Sequence, residues 1–167
     1  MAVSYTARMK NIQPFLWFTD NAEEAMEFYT KLFADSRIVK ITRMSDNVPP
    51  AGKALVGEME LMGQTFLCLN GGENDMLKAP GPVSFTVPCD TQEEIDTLWD
   101  AFSADGGMPL PCGWIRDRFG ITWQVTPSIM GELMGDPDPE KASRTAAAMM
   151  KMGKLDIAEL KRAHDGE

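Results

Sequence analysis

The sequence predicts an α+β fold built from two βαβββ repeats and closed by a C-terminal helical tail. Three observations predict it. A short apolar strand followed by an acidic helix start occurs near the N-terminus and returns in the second half of the chain. Each copy is completed by further strands of alternating character around glycine-containing turns. After Pro127 the composition changes to Ala- and Met-rich segments that belong to neither copy.

Asn11 to Phe18 (NIQPFLWF) is an apolar, aromatic run of strand length. Asn21-Ala-Glu-Glu24 reads as a helix start, with Asn21 as N-cap and Glu24 as its capping-box partner three positions on. Ala25, Phe28, Tyr29, Leu32 and Phe33 follow at helical spacing. Arg37 to Met44 alternates as a strand, and Ser45 to Lys53, with Pro49, Pro50 and Gly52, reads as a loop. Ala54 to Leu61 and Thr65 to Leu69 are two more strands, joined by a tight turn at Met62-Gly63-Gln64.

Val83 to Val87 opens the second copy as a strand. Asp90-Thr-Gln-Glu-Glu94 starts a helix with apolar positions Ile95, Leu98, Trp99 and Phe102, which Gly106-Gly107 stops. Cys112 to Arg116 and Ile121 to Thr126 are strands around the turn at Asp117 to Gly120, with Met108 to Leu110 as a short further strand. Setting Glu93-Glu94 on Glu23-Glu24 gives an offset of 93 − 23 = 70, which also superposes four apolar helix positions and the first strands. The last strands superpose at a different offset, 120 − 63 = 57, because the first copy carries the longer loop. The repeats run over about 11–70 and 83–127 within a domain of residues 1–135. The extension, 136–167, begins at Asp136-Pro-Asp-Pro139, continues as a helix over Glu140 to Met152, and ends in a short helix capped by Asp156.

Bulk properties narrow the function. With 167 residues, 44% hydrophobic and 25% charged, the chain has ordinary globular composition and enough length for a core. A net charge of −9 argues against nucleic-acid and anionic-membrane partners. No apolar run is of bilayer-spanning length, and Met1 to Asn11 lacks the apolar core of a signal peptide, so a cytoplasmic setting is expected. Cys68, Cys89 and Cys112 are odd in number and have no metal-type spacing. The single histidine, His164, lies three residues from the C-terminus, which excludes a His-based triad or multi-His metal site in the core.

Pro14-Phe-Leu-Trp-Phe18 with Asn21-Ala-Glu-Glu-Ala25 and Phe28-Tyr29, then Leu69-Asn-Gly-Gly72, then Cys112-Gly-Trp-Ile-Arg-Asp-Arg-Phe-Gly120 with Trp123-Gln124, together resemble the PhnB-like group of the vicinal oxygen chelate superfamily. Glyoxalase I, extradiol dioxygenases and bleomycin-binding proteins belong to the same superfamily. The resemblance covers roughly residues 11 to 127. It implies that the paired halves curl into an open, cup-like mixed sheet around a small-molecule cleft, usually in a homodimer. Members of the group often carry a demethylubiquinone methyltransferase label, which these residues do not support. Gly71-Gly72 follows a strand, but a polar Glu-Asn-Asp stretch comes next instead of the helix and acidic residue that would hold an adenosyl cofactor.

In metal-using relatives four ligands, typically His, Gln or Glu, come from the first and last strands of each half. Carried over, the first-strand position falls at Gln13 or Pro14 with its mate at Val83 or Ser84, and the last-strand position at Leu67 or Cys68 with its mate at Gln124. The best set, Gln13, Cys68, Ser84 and Gln124, offers two amides, a hydroxyl and a thiol. Without a carboxylate or imidazole it does not offset the dehydration of a divalent cation, so no metal or other cofactor is expected. The acid–base pair of a glyoxalase-type isomerisation is missing for the same reason.

Ligand contacts are expected elsewhere. Gln124 shares a strand face with Thr122 and Thr126, while Ile121, Trp123 and Val125 take the face that packs on the helices. Trp114 with Cys112, and Trp17 with Phe15, are candidate aromatic walls. Asp117 and Arg118 on the turn before the last strand are a candidate anchoring pair, weighed against a structural role. Cys68 lacks an activating base and reads better as a buried thiol. The 13 methionines pad apolar contacts. Two functions follow: a protein that binds or sequesters a small metabolite or drug without a metal, or a metal-independent enzyme of isomerase, transferase or lyase type. The missing acid–base groups and cofactor motif favour the first. Open sheets and an apolar tail favour self-association as a homodimer, with the tail in the contact.

Overall fold

The computed structural model of the protein describes residues 13–43, 55–73 and 83–167. The chain divides into two compact units, Met1–Asn74 and Asp75–Glu167. Unit 1 runs β1 (Phe15–Phe18), α1 (Ala22–Leu32), β2 (Arg37–Arg43), β3 (Leu55–Leu61) and β4 (Gln64–Asn70), the expected βαβββ order. Its sheet has the strand order β1-β4-β3-β2, with β1 parallel to β4 and the other pairs antiparallel. Met44, the loop at 45–53 and residues 11 and 12 lie outside the described residues.

Helix α1 lies on one face of this sheet and buries Ala22, Ala25, Met26 and Tyr29. Met26 takes a core position that the apolar spacing missed, while Phe28 and Leu32 are only half-buried. Asn21 does not cap the helix: its side chain makes no cap hydrogen bond. Instead the first free amide, Ala22 N–H, donates to Oδ1 of the buried Asn70 at 2.8 Å, and Asn70 Nδ2 donates to the Asp20 carbonyl at 3.2 Å. The cap therefore comes from the end of β4, which short-range sequence pattern cannot reveal. The β3–β4 turn is the two residues Met62 (φ 47°) and Gly63 (φ 84°), both left-handed, with Gln64 already in β4.

Unit 2 runs β5 (Phe85–Cys89), α2 (Gln92–Ser103), a 3₁₀ turn (Ala104–Gly106), β6 (Met108–Pro109), β7 (Trp114–Arg116) and β8 (Thr122–Pro127). Its order, β5-β8-β7-β6, repeats that of unit 1. Helix α2 has the full capping box: Thr91 Oγ1 accepts from Glu94 N–H at 3.2 Å, and Glu94 Oε2 accepts from Thr91 N–H at 3.2 Å. All four expected apolar positions, Ile95, Leu98, Trp99 and Phe102, are buried. Phe102 stacks on Trp123, with ring centroids 4.9 Å apart.

Several boundaries differ from expectation, and two of them bear on candidate residues. The first strand of the second copy starts at Phe85 instead of Val83, and Cys112 lies in the turn before β7 instead of within a strand. Matching hydrogen bonds set the repeat: Gly71 N–H donates to Phe18 O, and Ser128 N–H donates to Cys89 O. The last strands thus repeat at 128 − 71 = 57, as the sequence indicates, but the first strands repeat at 89 − 18 = 71. The helices keep 92 − 22 = 70, because three residues separate β1 from α1 and two separate β5 from α2.

The tail forms α3 (Met130–Met134), α4 (Pro139–Met149) and α5 (Ile157–Asp165). Asp138 caps α4 through Glu140 N–H, and Asp156 caps α5 through Glu159 N–H. Leu133, Leu155 and Leu160 form its buried core, with Ile129, Met130, Met149 and Met152 around it. This apolar cluster packs within the tail's own unit. The side chain of Gln92 holds it from α2, donating to Leu155 O at 3.1 Å and accepting from Ile157 N–H at 2.9 Å. Lys154 pairs with Asp96 at 2.7 Å. No helix among the described residues is long and apolar enough to cross a membrane.

Candidate functional site

In each unit the helix covers one sheet face, and the opposite face carries most of the candidate residues. In unit 1 the strand register sets out two rows across that open face, Phe15–Leu67–Glu58–Lys40 and Trp17–Leu69–Val56–Thr42. Phe15 is 51% exposed and Trp17 37% exposed. Gln13 is exposed just before β1. Residues in alternation, Leu16, Phe18, Phe66 and Cys68, are buried on the helix side. Cys68 therefore does not belong to the open-face set: Leu67, without a donor atom, takes the last-strand position there. Burial pushes the Cys68 thiol up to about 12, as suits an inert core group.

The Leu69-Asn-Gly-Gly72 motif has a structural explanation. Asn70 caps α1, as above. A Cβ on Gly71 would lie 2.2 Å from the Trp17 ring, so only glycine leaves room for the indole. Trp17 Nε1–H donates to Gly72 O at 3.0 Å, and Gly72 sits at φ 79°. The glycine pair thus seats an aromatic side chain. With the indole packed on Gly71 and bonded to Gly72, the pair does not form an open glycine-rich turn of the kind an adenosyl cofactor would need.

In unit 2 the open face reads Thr86–Gln124–Trp114 in one row and Thr122–Arg116–Met108 in the next. Gln124 Nε2–H donates to Ser84 Oγ at 2.8 Å, and both residues are half-buried. Trp114 stands opposite Gln124 across β7–β8 and is 38% exposed. Thr122 is buried. Trp123 and Val125 point the other way, into the core under α2, as the alternation of β8 requires. An amide, three hydroxyl-bearing side chains (Ser84, Thr86 and Thr122) and an indole are thereby assembled on one face.

Three further candidates lie elsewhere. Asp117 is only 4% exposed and organises the turn: Oδ1 accepts from Phe119 N–H at 2.9 Å and Ile121 N–H at 3.0 Å, and Oδ2 accepts from Trp123 Nε1–H at 2.8 Å. Its charge is met by three donors, so its role is structural and not that of an exposed ligand anchor. Arg118 reaches Asp105 at 3.2 Å and lies over the Phe119 ring, 4.6 Å from its centroid. Cys112 sits at φ 62° in a turn whose amide donates to Met152 O at 2.7 Å, and its Sγ is 3.7 Å from Met150 Sδ. It faces the tail, and Trp114 remains on the open face without it.

Sequence reading overlooked Thr86, Arg116 and Glu58. Thr86 and Arg116 become visible only once register places them beside Gln124 and Thr122. Glu58 stands between Leu67 and Lys40 in its row, a lone carboxylate beside a cation. The divalent metal that the fold resemblance implies does not fit. Of the four inherited positions, now Gln13, Leu67, Ser84 and Gln124, one has no donor atom and three are neutral. Among the described residues no group of three His, Cys, Asp or Glu side chains converges in a metal-holding arrangement.

Comparison with known proteins agrees with the topology. The model of a family described as 3-demethylubiquinone-9 3-methyltransferase matches residues 10–126. A putative 3-demethylubiquinone-9 3-methyltransferase, PhnB protein, from Bacillus cereus is 37% identical; the match covers 71% of this chain and 99% of that one, with a TM-score of 0.63. Protein PA1353 from Pseudomonas aeruginosa (20% identity, 71% and 98% coverage, TM-score 0.53) shares the fold. So does the fosfomycin resistance protein FosX from Listeria monocytogenes (12% identity, 75% and 97% coverage, TM-score 0.54). No curated protein matches the chain.

Proposed function

From the premise that this chain belongs to the 3-demethylubiquinone-9 3-methyltransferase family, the PhnB-like group of the vicinal oxygen chelate superfamily, we propose that it binds a small, partly aromatic molecule on its open sheet surface without recruiting a metal ion. The observation that carries this reading is the row Thr86–Gln124–Trp114 with Ser84 hydrogen-bonded to Gln124 at 2.8 Å. An indole supplies stacking area, and neutral amide and hydroxyl groups supply hydrogen bonds that fix orientation. No ionisable side chain stands at the inherited ligand positions, so the site is suited to holding a molecule and lacks a proton donor or acceptor there for transforming it. The protein acts as a homodimer under the same proposal, since β1, β2, β5 and β6 are edge strands of their sheets.

A thermal-shift panel of small aromatic metabolites and antibiotics tests the reading, run once with a chelator and once with Mn²⁺, Ni²⁺ or Zn²⁺. The expected result is a stabilising aromatic compound whose effect survives the chelator and is lost in Trp114→Ala. A compound that stabilises only with a metal, together with near-equimolar metal in the purified protein, overturns it.

A further inference from the structure

The C-terminal segment lies beyond the residues the family model matches, 10–126, and the three solved relatives above leave at least a quarter of this chain uncovered. We propose that this segment positions Trp114: the carbonyls of Met152 and Gly153, held in place by Leu155, fix the turn from which the indole projects. The inference rests on the binding reading only for its consequence, since the geometry concerns the protein alone.

The turn joining β6 to β7 has two successive left-handed residues, Cys112 (φ 62°) and Gly113 (φ 80°), and closes with a long bond from Trp114 N–H to Pro111 O at 3.3 Å. A non-glycine residue in this conformation persists where its surroundings over-determine it. Here the tail does so. Cys112 N–H donates to Met152 O and Gly113 N–H to Gly153 O, each at 2.7 Å, so both central amides of the turn are held by one tail segment. On its other side Gly113 O accepts from Val125 N–H at 2.8 Å. The space between is filled: a Cβ on Gly113 would lie 2.8 Å from Val125 O and 2.9 Å from Leu155 Cδ1. The turn is clamped between β8 and the buried Leu155.

Leu155 is itself fixed from α2, by Gln92 at its carbonyl and by the neighbouring Lys154–Asp96 pair. A chain of contacts therefore runs from α2 through the tail to residue 113, one residue before Trp114. Strand β7 is three residues long and β6 two. The turn therefore adds to what the short ladder fixes at Trp114, which stands opposite Gln124 and accepts at its carbonyl from Leu110 N–H at 2.8 Å.

The test uses the full-length protein without ligand, so it stands or falls apart from the binding reading. Leu155→Ala and Gln92→Ala are compared with the parent by amide exchange and by the Trp114 indole N–H resonance. The Phe119 and Ile121 amides, bonded to Asp117, report whether unit 2 remains folded. Exchange at Cys112 and Gly113 should rise about tenfold or more, with a shifted and broadened Trp114 indole signal, unchanged Phe119 and Ile121, and recovery in Leu155→Met. If Leu155→Ala also exposes Phe119 and Ile121, Gln92→Ala, which opens no core void, is read by the same criteria. Released amides with an unmoved Trp114 indole overturn the proposal, as do amides that remain protected in both variants.

Discussion

The side-chain amide of Gln124 donates to the hydroxyl of Ser84 at 2.8 Å, tying the last strand of unit 2 to the residue that precedes its first strand by one. The hydrogen bond joins two residues of the open face and leaves the Gln124 carbonyl oxygen and one amide hydrogen for a bound molecule. Gln124→Leu is expected to leave the fold in place, lower stability by about 0.5–1.5 kcal/mol, and weaken binding of any compound found in the thermal-shift panel. Calorimetry and titration check it; a collapse in stability with unaltered affinity would show that the residue serves the sheet alone.

Asp117 carries a sharper expectation. Its carboxylate meets two backbone amides and the Trp123 indole in a buried setting. Asp117→Asn turns an acceptor into a donor facing another donor, and should cost about 1–3 kcal/mol. Denaturant unfolding followed by tryptophan fluorescence measures it, and a midpoint equal to the parent's contradicts the assigned role.

The thiols differ in reactivity and in their effect on alkaline stability. Burial pushes Cys68 up to about 12; burial, then the Glu94 and Asp90 charges, push Cys89 up to about 11, from an ordinary 9.0. Native protein at pH 8 should therefore give one thiol, Cys112, that reacts rapidly with a disulfide reagent, and two that wait for unfolding. Because the folded state disfavours the thiolates, their contribution to stability is fully present below pH 9. It is lost as pH rises, through about 11 for Cys89 and about 12 for Cys68. Three equally fast thiols would refute the assignment.

Light scattering is expected to give the mass of a dimer, and Leu155→Ala, which weakens a contact inside one subunit, should not change it. A monomeric mass removes the homodimer proposal. A shift to monomer in Leu155→Ala would show that the tail serves both its own unit and the partner.

Much of the architecture was legible because strands and helices write their period into the chain. Trp123 and Val125 against Gln124 and Thr126 is an alternation that β8 obeys, and Ile95, Leu98, Trp99 and Phe102 mark the buried stripe of α2 without error. What escaped was long-range. Nothing near Asn21 shows that Asn70 will supply the cap, 48 residues away from the amide it serves. Cys112 looked like strand because apolar residues surround it, and its left-handed backbone depends on carbonyls 40 residues downstream. Leu67, which the last-strand offset of 57 sets against Gln124, takes the open face, and Cys68 takes the helix face. Asp117 and Arg118, adjacent charges in sequence, turned to a buried indole and to Asp105 respectively.

The spacing of the two copies also bears on how the chain diverged. Strand partners repeat at 71 and 57, and helices at 70. The one-residue difference between first strand and helix falls in the connector, where three residues in one copy answer to two in the other. Had that residue been gained or lost inside β5, every side chain beyond it would have crossed to the opposite face, sending Thr86 into the core and Val87 outward. Between first strand and helix, the length difference of the two copies lies in the connector, where no pleat records parity. In laboratory evolution the connectors at 19–21 and 90–91 are accordingly the places to vary length, and the strands the places to vary identity.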